Sequence, residues 1–249
     1  MARGPKPKSN VSAPSNYNSW QGVLLACVVA LIASLAWFRF QKVVNQHIST
    51  AVDSSLTLLE EGKADAAVQK LTKTRNIGIW FLGDGDSIIK VSVHYALGRA
   101  FMETNRTQDA ASEFEHVVAL DPQHWAAQAN LGSALFLRMN YPEALGAFQE
   151  SISAIEESTF ALNPPLGPSE ERSTILAELY LQKGVVLLEL PKSRCAGATC
   201  TEYAAQALRQ AQILNPELHL ASQLLARATV DLQSNAASSK AYIKALFDE

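Results

Sequence analysis

Cysteine is scarce in this chain: there are three, at positions 27, 195 and 200. That is too few for a disulfide scaffold, and no second Cys or His pair at metal-ligand spacing accompanies Cys195 and Cys200. Histidine is also sparse. His47, His94, His116, His124 and His219 are scattered, and none stands beside a nucleophile in a recognisable set. A phosphate-binding loop and a Gly-x-Ser-x-Gly elbow are both missing. The Gly-Asp-Gly-Asp-Ser stretch at 83–87 has no Glu at the spacing of a calcium loop. The sequence therefore predicts no catalytic residues, no metal site, no cofactor, and not an enzyme.

Acidic side chains are absent from the first forty residues, which hold Arg3, Lys6, Lys8 and Arg39. From residue 41 onward there are 17 basic and 24 acidic residues, a net charge of −7. A body of that sign lacks the basic face that nucleic acid requires. Basic residues confined to one end fit a membrane flank instead.

Charge disappears altogether between Trp20 and Phe38, WQGVLLACVVALIASLAWF. An α-helix needs about 20 apolar residues to cross a bilayer. Trp20 and Trp37 mark the two ends, as interfacial aromatics do. A buried core helix would keep a polar stripe, which this run lacks. The rival reading is a cleaved signal with Ser34-Leu35-Ala36 at its end, although the run exceeds the usual signal core. Residues 1–19 read as a flexible basic tail, and 20–38 as a transmembrane helix contacting the lipid bilayer. Positive flanking charge favours the tail on the cytosolic side and the body across the membrane of an organelle or endomembrane.

What the chain does have is a period. Residues 91–124 and 125–158 superpose as two 34-residue blocks. Leu97-Gly98 falls on Leu131-Gly132, Phe101 on Leu135, Ala110 on Ala144 and Phe114 on Phe148. A fixed period with small residues at fixed places marks a stack of helical hairpins. Worn copies flank it at about 48–81 and 177–216, with loops inserted at 161–173 and 191–200. The repeat region spans 42–234. Leu218–Leu232 reads as a capping helix, and 235–249, after a Ser/Asn/Ala break, as a tail or short helix.

These blocks resemble the tetratricopeptide repeat (TPR), with Leu97, Gly98, Phe101, Ala110, Phe114 and Pro122 at its marked positions, then Leu131, Gly132, Leu135, Ala144 and Phe148. The second block departs from the pattern at Glu156, where Pro is usual. The resemblance implies an all-α solenoid of hairpins, here preceded by the one N-terminal transmembrane helix read from the apolar run, and a concave face built from first helices. On that face it places Tyr95, Arg99, Met102, Asn130, Ser133, Phe136, Leu181 and Val185 as partner-binding residues. It also places Tyr95, Arg99, Asn130, Glu178 and Gln182 where some relatives clamp a chaperone's carboxylate tail with Lys, Asn and Arg. Only Asn130 fits, so that mode is excluded.

A mostly apolar groove suits a peptide or helical segment of another protein. The function expected is a membrane-anchored scaffold or adaptor in complex assembly or protein translocation. The alternative is a permanent structural subunit whose groove neighbours fill. Cys195 and Cys200 can bridge in an oxidising compartment. Asn105-Arg106-Thr107 fits a glycosylation acceptor in an exposed turn.

Overall fold

A computed structural model describes residues 17–78, 87–157, 169–190 and 199–247. Nine α-helices and no strand occur among them. The chain divides into two compact units, 1–46 and 47–249.

In the first unit, the apolar run forms the leading part of α1 (Tyr17–Glu60). From Gly22 on, this is the one described helix long and apolar enough to cross a membrane, with mean hydropathy 2.3 over its most apolar stretch and none of that stretch buried. Trp20, Leu24, Leu31 and Phe38 all stand exposed. No packing inside the protein accounts for so many large apolar side chains in contact with solvent.

The second unit is a series of helical hairpins. The last part of α1 turns back into α2 (Ala64–Gly78) as the first hairpin, where Lys70 Nζ donates to Ser54 Oγ at 2.5 Å. Then α3 (Ser87–Glu103) pairs with α4 (Thr107–Leu120), α5 (Trp125–Leu137) with α6 (Tyr141–Glu157), and α7 (Ser169–Glu189) with α8 (Thr199–Leu214). The final helix α9 (His219–Phe247) packs on α8.

The small residues explain how closely the paired helices approach. A Cβ placed on Gly98 would lie 2.7 Å from Phe114 Cε1, and one on Gly132 would lie 2.8 Å from Phe148 Cε1. Gly184 repeats this in the fourth hairpin, where a Cβ would lie 2.7 Å from Leu208 Cγ. Phe114, Phe148 and Leu208 are themselves fully or almost fully buried. In the first hairpin Ser55 takes the glycine's place and Leu71 the aromatic's, and both are buried.

Three hairpins close through the same turn. Gly62, Asn105 and Met139 adopt positive φ of 74°, 58° and 59°. Their N–H groups donate to Leu59, Met102 and Phe136, and the next residues, Lys63, Arg106 and Asn140, donate to Leu58, Phe101 and Leu135. This nested pair satisfies carbonyls that a helix end would otherwise leave open.

Three boundaries differ from the sequence expectation. The expected loop 161–173 is already helical from Ser169, because Ser169, Glu170 and Glu171 supply the polar, acidic first turn that a helix N-terminus favours. Thr199 and Cys200, placed in the loop 191–200, open α8. The Ser/Asn/Ala stretch expected to break the chain after Leu232 stays helical, and α9 continues to Phe247. That stretch contains neither Gly nor Pro, and Ala sustains a helix through it. Most of the expected basic tail, residues 83–86 of the Gly-Asp stretch, and Cys195 lie outside the described residues.

Candidate functional site

The eight residues expected on the concave face fall into two groups. Toward the amino end, Tyr95 and Arg99 on α3 line an open cavity of about 410 Å³. The buried side of α1 adds Val52 and Leu56, the end of α4 adds Leu120, and the turn after it adds Asp121 and His124. Asn130 of α5 donates from Nδ2 to the Tyr95 hydroxyl at 3.2 Å. Burial pushes the Tyr95 phenol above its ordinary range, with Arg99 and the Asn130 bond opposing it. Asn130 is thus held by Tyr95, while Arg99 stays exposed. Met102 is half-buried and lines neither cavity.

Toward the carboxyl end, Ser133 and Phe136 on α5 meet Leu181 and Val185 on α7 around a cleft of about 290 Å³. Leu137, Phe148, Gln182, Val186 and Leu220 complete its wall, and Leu137 and Leu220 are exposed. The cleft is apolar apart from Ser133 and Gln182. Ser133 Oγ donates to its own helix at Ala129 O, 3.1 Å away. The remaining surface is suited to van der Waals and hydrophobic contact with an apolar or amphipathic segment. Four of the expected residues converge here, although α5 and α7 are separated by the long connection between α6 and α7.

Two polar arrangements escaped the sequence reading. The first joins three helices at Glu113, a carboxylate almost fully buried on α4. It accepts from Arg75 of α2 and lies 2.7 Å from His94 Nδ1 of α3. The His116 ring lies beside that of His94, tilted by 42° with centroids 5.0 Å apart. Arg75 and His94 are 38 and 19 positions from Glu113, too far for a local motif to reveal.

The second arrangement is the start of α5. His124 Nδ1 accepts from the Ala127 N–H at 3.1 Å, a cap made by an imidazole rather than the usual hydroxyl or carboxylate. The ring is buried against Tyr95, 4.9 Å between centroids. Burial holds its pKa below the ordinary histidine value, with Asp121 pulling the other way.

Further along, the Tyr180 hydroxyl donates to Glu156 Oε1 at 2.7 Å. Burial and that carboxylate push the phenol up to about 12. Glu156, where the repeat pattern has Pro, thereby ties α6 to α7. Cys200, at the start of α8, is disulfide-bonded, while Cys27 is a free thiol. Among the described residues, no three His, Cys, Asp or Glu side chains are grouped so as to hold a metal ion.

The tetratricopeptide repeat profile matches residues 95–158, which span the third to sixth helices. No curated protein sequence matches the chain. Among solved structures, a crystal structure of MamA superposes with a TM-score of 0.56 at 19% identity, covering 79% of this chain and 88% of its own. MamA from Desulfovibrio magneticus gives 0.56 at 18% identity, covering 80% and 93%. PilF from Pseudomonas aeruginosa gives 0.55 at 18%, covering 77% and 71%. At these identities the likeness is one of fold, a helical-hairpin solenoid.

Proposed function

Taking residues 95–158 as tetratricopeptide repeats, we propose that this protein is a membrane-anchored scaffold that holds partner proteins beside a bilayer. The apolar part of α1 is the anchor. The cleft between α5 and α7 takes an apolar or amphipathic helical segment of the partner, in the assembly of a complex or the passage of proteins across the membrane. The observation that carries this reading is the cleft itself. Phe136, Leu137, Leu181, Val185 and Leu220 leave an open apolar surface where first helices of successive hairpins meet.

Two observations support an orientation with the repeats on the non-cytosolic side. Arg3, Lys6 and Lys8 precede the apolar run, and only Arg39 and Lys42 follow it closely. Cys200 is disulfide-bonded, and such bonds persist in oxidising compartments.

The reading is tested by detergent extraction and pull-down of the full chain beside a Leu181→Asp variant. Partners retained by the wild type and lost from a folded variant support the cleft. Equal capture by both would overturn it. A single fixed complex that forms with either chain would favour the permanent-subunit alternative. Release of the protein by alkaline carbonate would remove the anchor from the proposal.

A further inference from the structure

Asn105, Arg106 and Thr107 spell the Asn-X-Thr acceptor pattern. In isolation the tripeptide means little. The structure places it in the turn between α3 and α4, with Asn105 exposed and at φ 58°. Asn tolerates this left-handed conformation better than other residues with a side chain. Its carboxamide makes no hydrogen bond among the described residues.

The neighbouring side chain is turned aside. The Arg106 guanidinium lies 4.4 Å from the centroid of the Phe101 ring and pairs with Asp109 at 2.6 Å. The equivalent turns use Gly62 and Met139, so the fold asks only for a residue that can hold positive φ. Packing accounts for the turn and does not account for the acceptor pattern.

The second observation lies elsewhere in the repeat unit. The disulfide at Cys200 fits a domain that matures in an oxidising lumen. We infer that Asn105 is the acceptor of an N-linked glycan in the lumen of the secretory pathway. The inference rests on the orientation proposed above. The donor is an oligosaccharide carried on a lipid diphosphate. Asn105 Nδ2 attacks C1 of the first sugar, and the C1–O bond to the diphosphate breaks. The lipid diphosphate leaves, and Nδ2 surrenders one proton to a base of the transferase. The acceptor residues line neither cavity, so the sugar leaves the apolar cleft open.

The test expresses the full chain with a C-terminal tag in eukaryotic cells, then treats the membranes with a peptide N-glycosidase. A gain in gel mobility by one glycan-sized step is expected for the wild type. Thr107→Ala and Asn105→Gly, the second of which keeps the turn unstrained, should migrate at that faster position without treatment. A wild type unaffected by the glycosidase overturns the inference. Protease protection of the tag in the same membranes separates the two layers of argument. A protected body without glycan overturns the glycan alone, and a digested body overturns the orientation with it. Asn10-Val11-Ser12, ahead of the apolar run, is a second acceptor pattern. A glycan that survives Asn105→Gly and is lost with Asn10→Gln would place the tail in the lumen and overturn both.

Discussion

The Phe114 ring closes directly over Gly98, so near that a single added carbon would stand 2.7 Å from it. Gly98→Ala should destabilise the repeat unit by about 1–3 kcal/mol, the usual range for overpacking a tight core. The natural first hairpin pairs Ser55 with the smaller Leu71. Phe114→Leu should therefore recover part of the loss when combined with Gly98→Ala. Urea unfolding of the four chains of this cycle measures the coupling, and strict additivity would count against the contact.

Met139 gains little from its own side chain, which is 76% exposed, and holds φ at 59°. A left-handed residue with a Cβ costs about 1–2 kcal/mol. Met139→Gly should raise stability by roughly 1 kcal/mol, less some entropy gained by the unfolded chain. A urea midpoint that moves down would show that the turn is not strained.

The buried Glu113 carboxylate depends on Arg75 and His94 for its polar contacts. Arg75→Ala should cost about 1–3 kcal/mol, because it leaves part of a buried acceptor unanswered. Combining Arg75→Ala with Glu113→Leu should cost less than the two singles summed, since no orphaned charge remains. Thermal unfolding of the three variants decides this.

For His124 the sign follows from its depressed pKa. Near pH 6.5 the unfolded chain takes up a proton that the folded chain refuses. The contribution is complete above about pH 6.5 and is lost as pH falls from there toward the folded value. His124→Asn puts a capping oxygen in place of the imidazole Nδ1 and removes the titration. Urea midpoints across this range should fall more steeply for the wild type than for the variant.

The period was legible because close packing writes itself into small residues at fixed places. Gly98, Ala110 and Phe114 can be found by eye, and α4, from Thr107 to Leu120, falls inside the first 34-residue block. The cleft was partly legible. Phe136 and Leu181 follow from repeat position, whereas Leu220 enters only because α9 packs beside α7 and α8. The Glu113 cluster was invisible because its partners are far apart in sequence and each resembles an ordinary surface residue. The extent of α9 was misjudged because Ser and Asn read as a break, while the backbone there needs only the absence of Gly and Pro.

Met139 donates its N–H to the carbonyl of Phe136 at 2.8 Å, so the strained turn is fastened to the residue at the heart of the cleft. The last turn of α5, which carries Phe136 and Leu137, is thus closed by a left-handed residue at a conformational cost. Segments of this kind open locally before the rest of a fold does. A partner that grips Phe136 and Leu137 also holds that turn shut, and some of its binding free energy goes into doing so. Occupancy of the cleft and closure of the hairpin become one equilibrium viewed from two ends. Backbone amides at 136–140 should then exchange with solvent readily in the free protein and slowly in the complex.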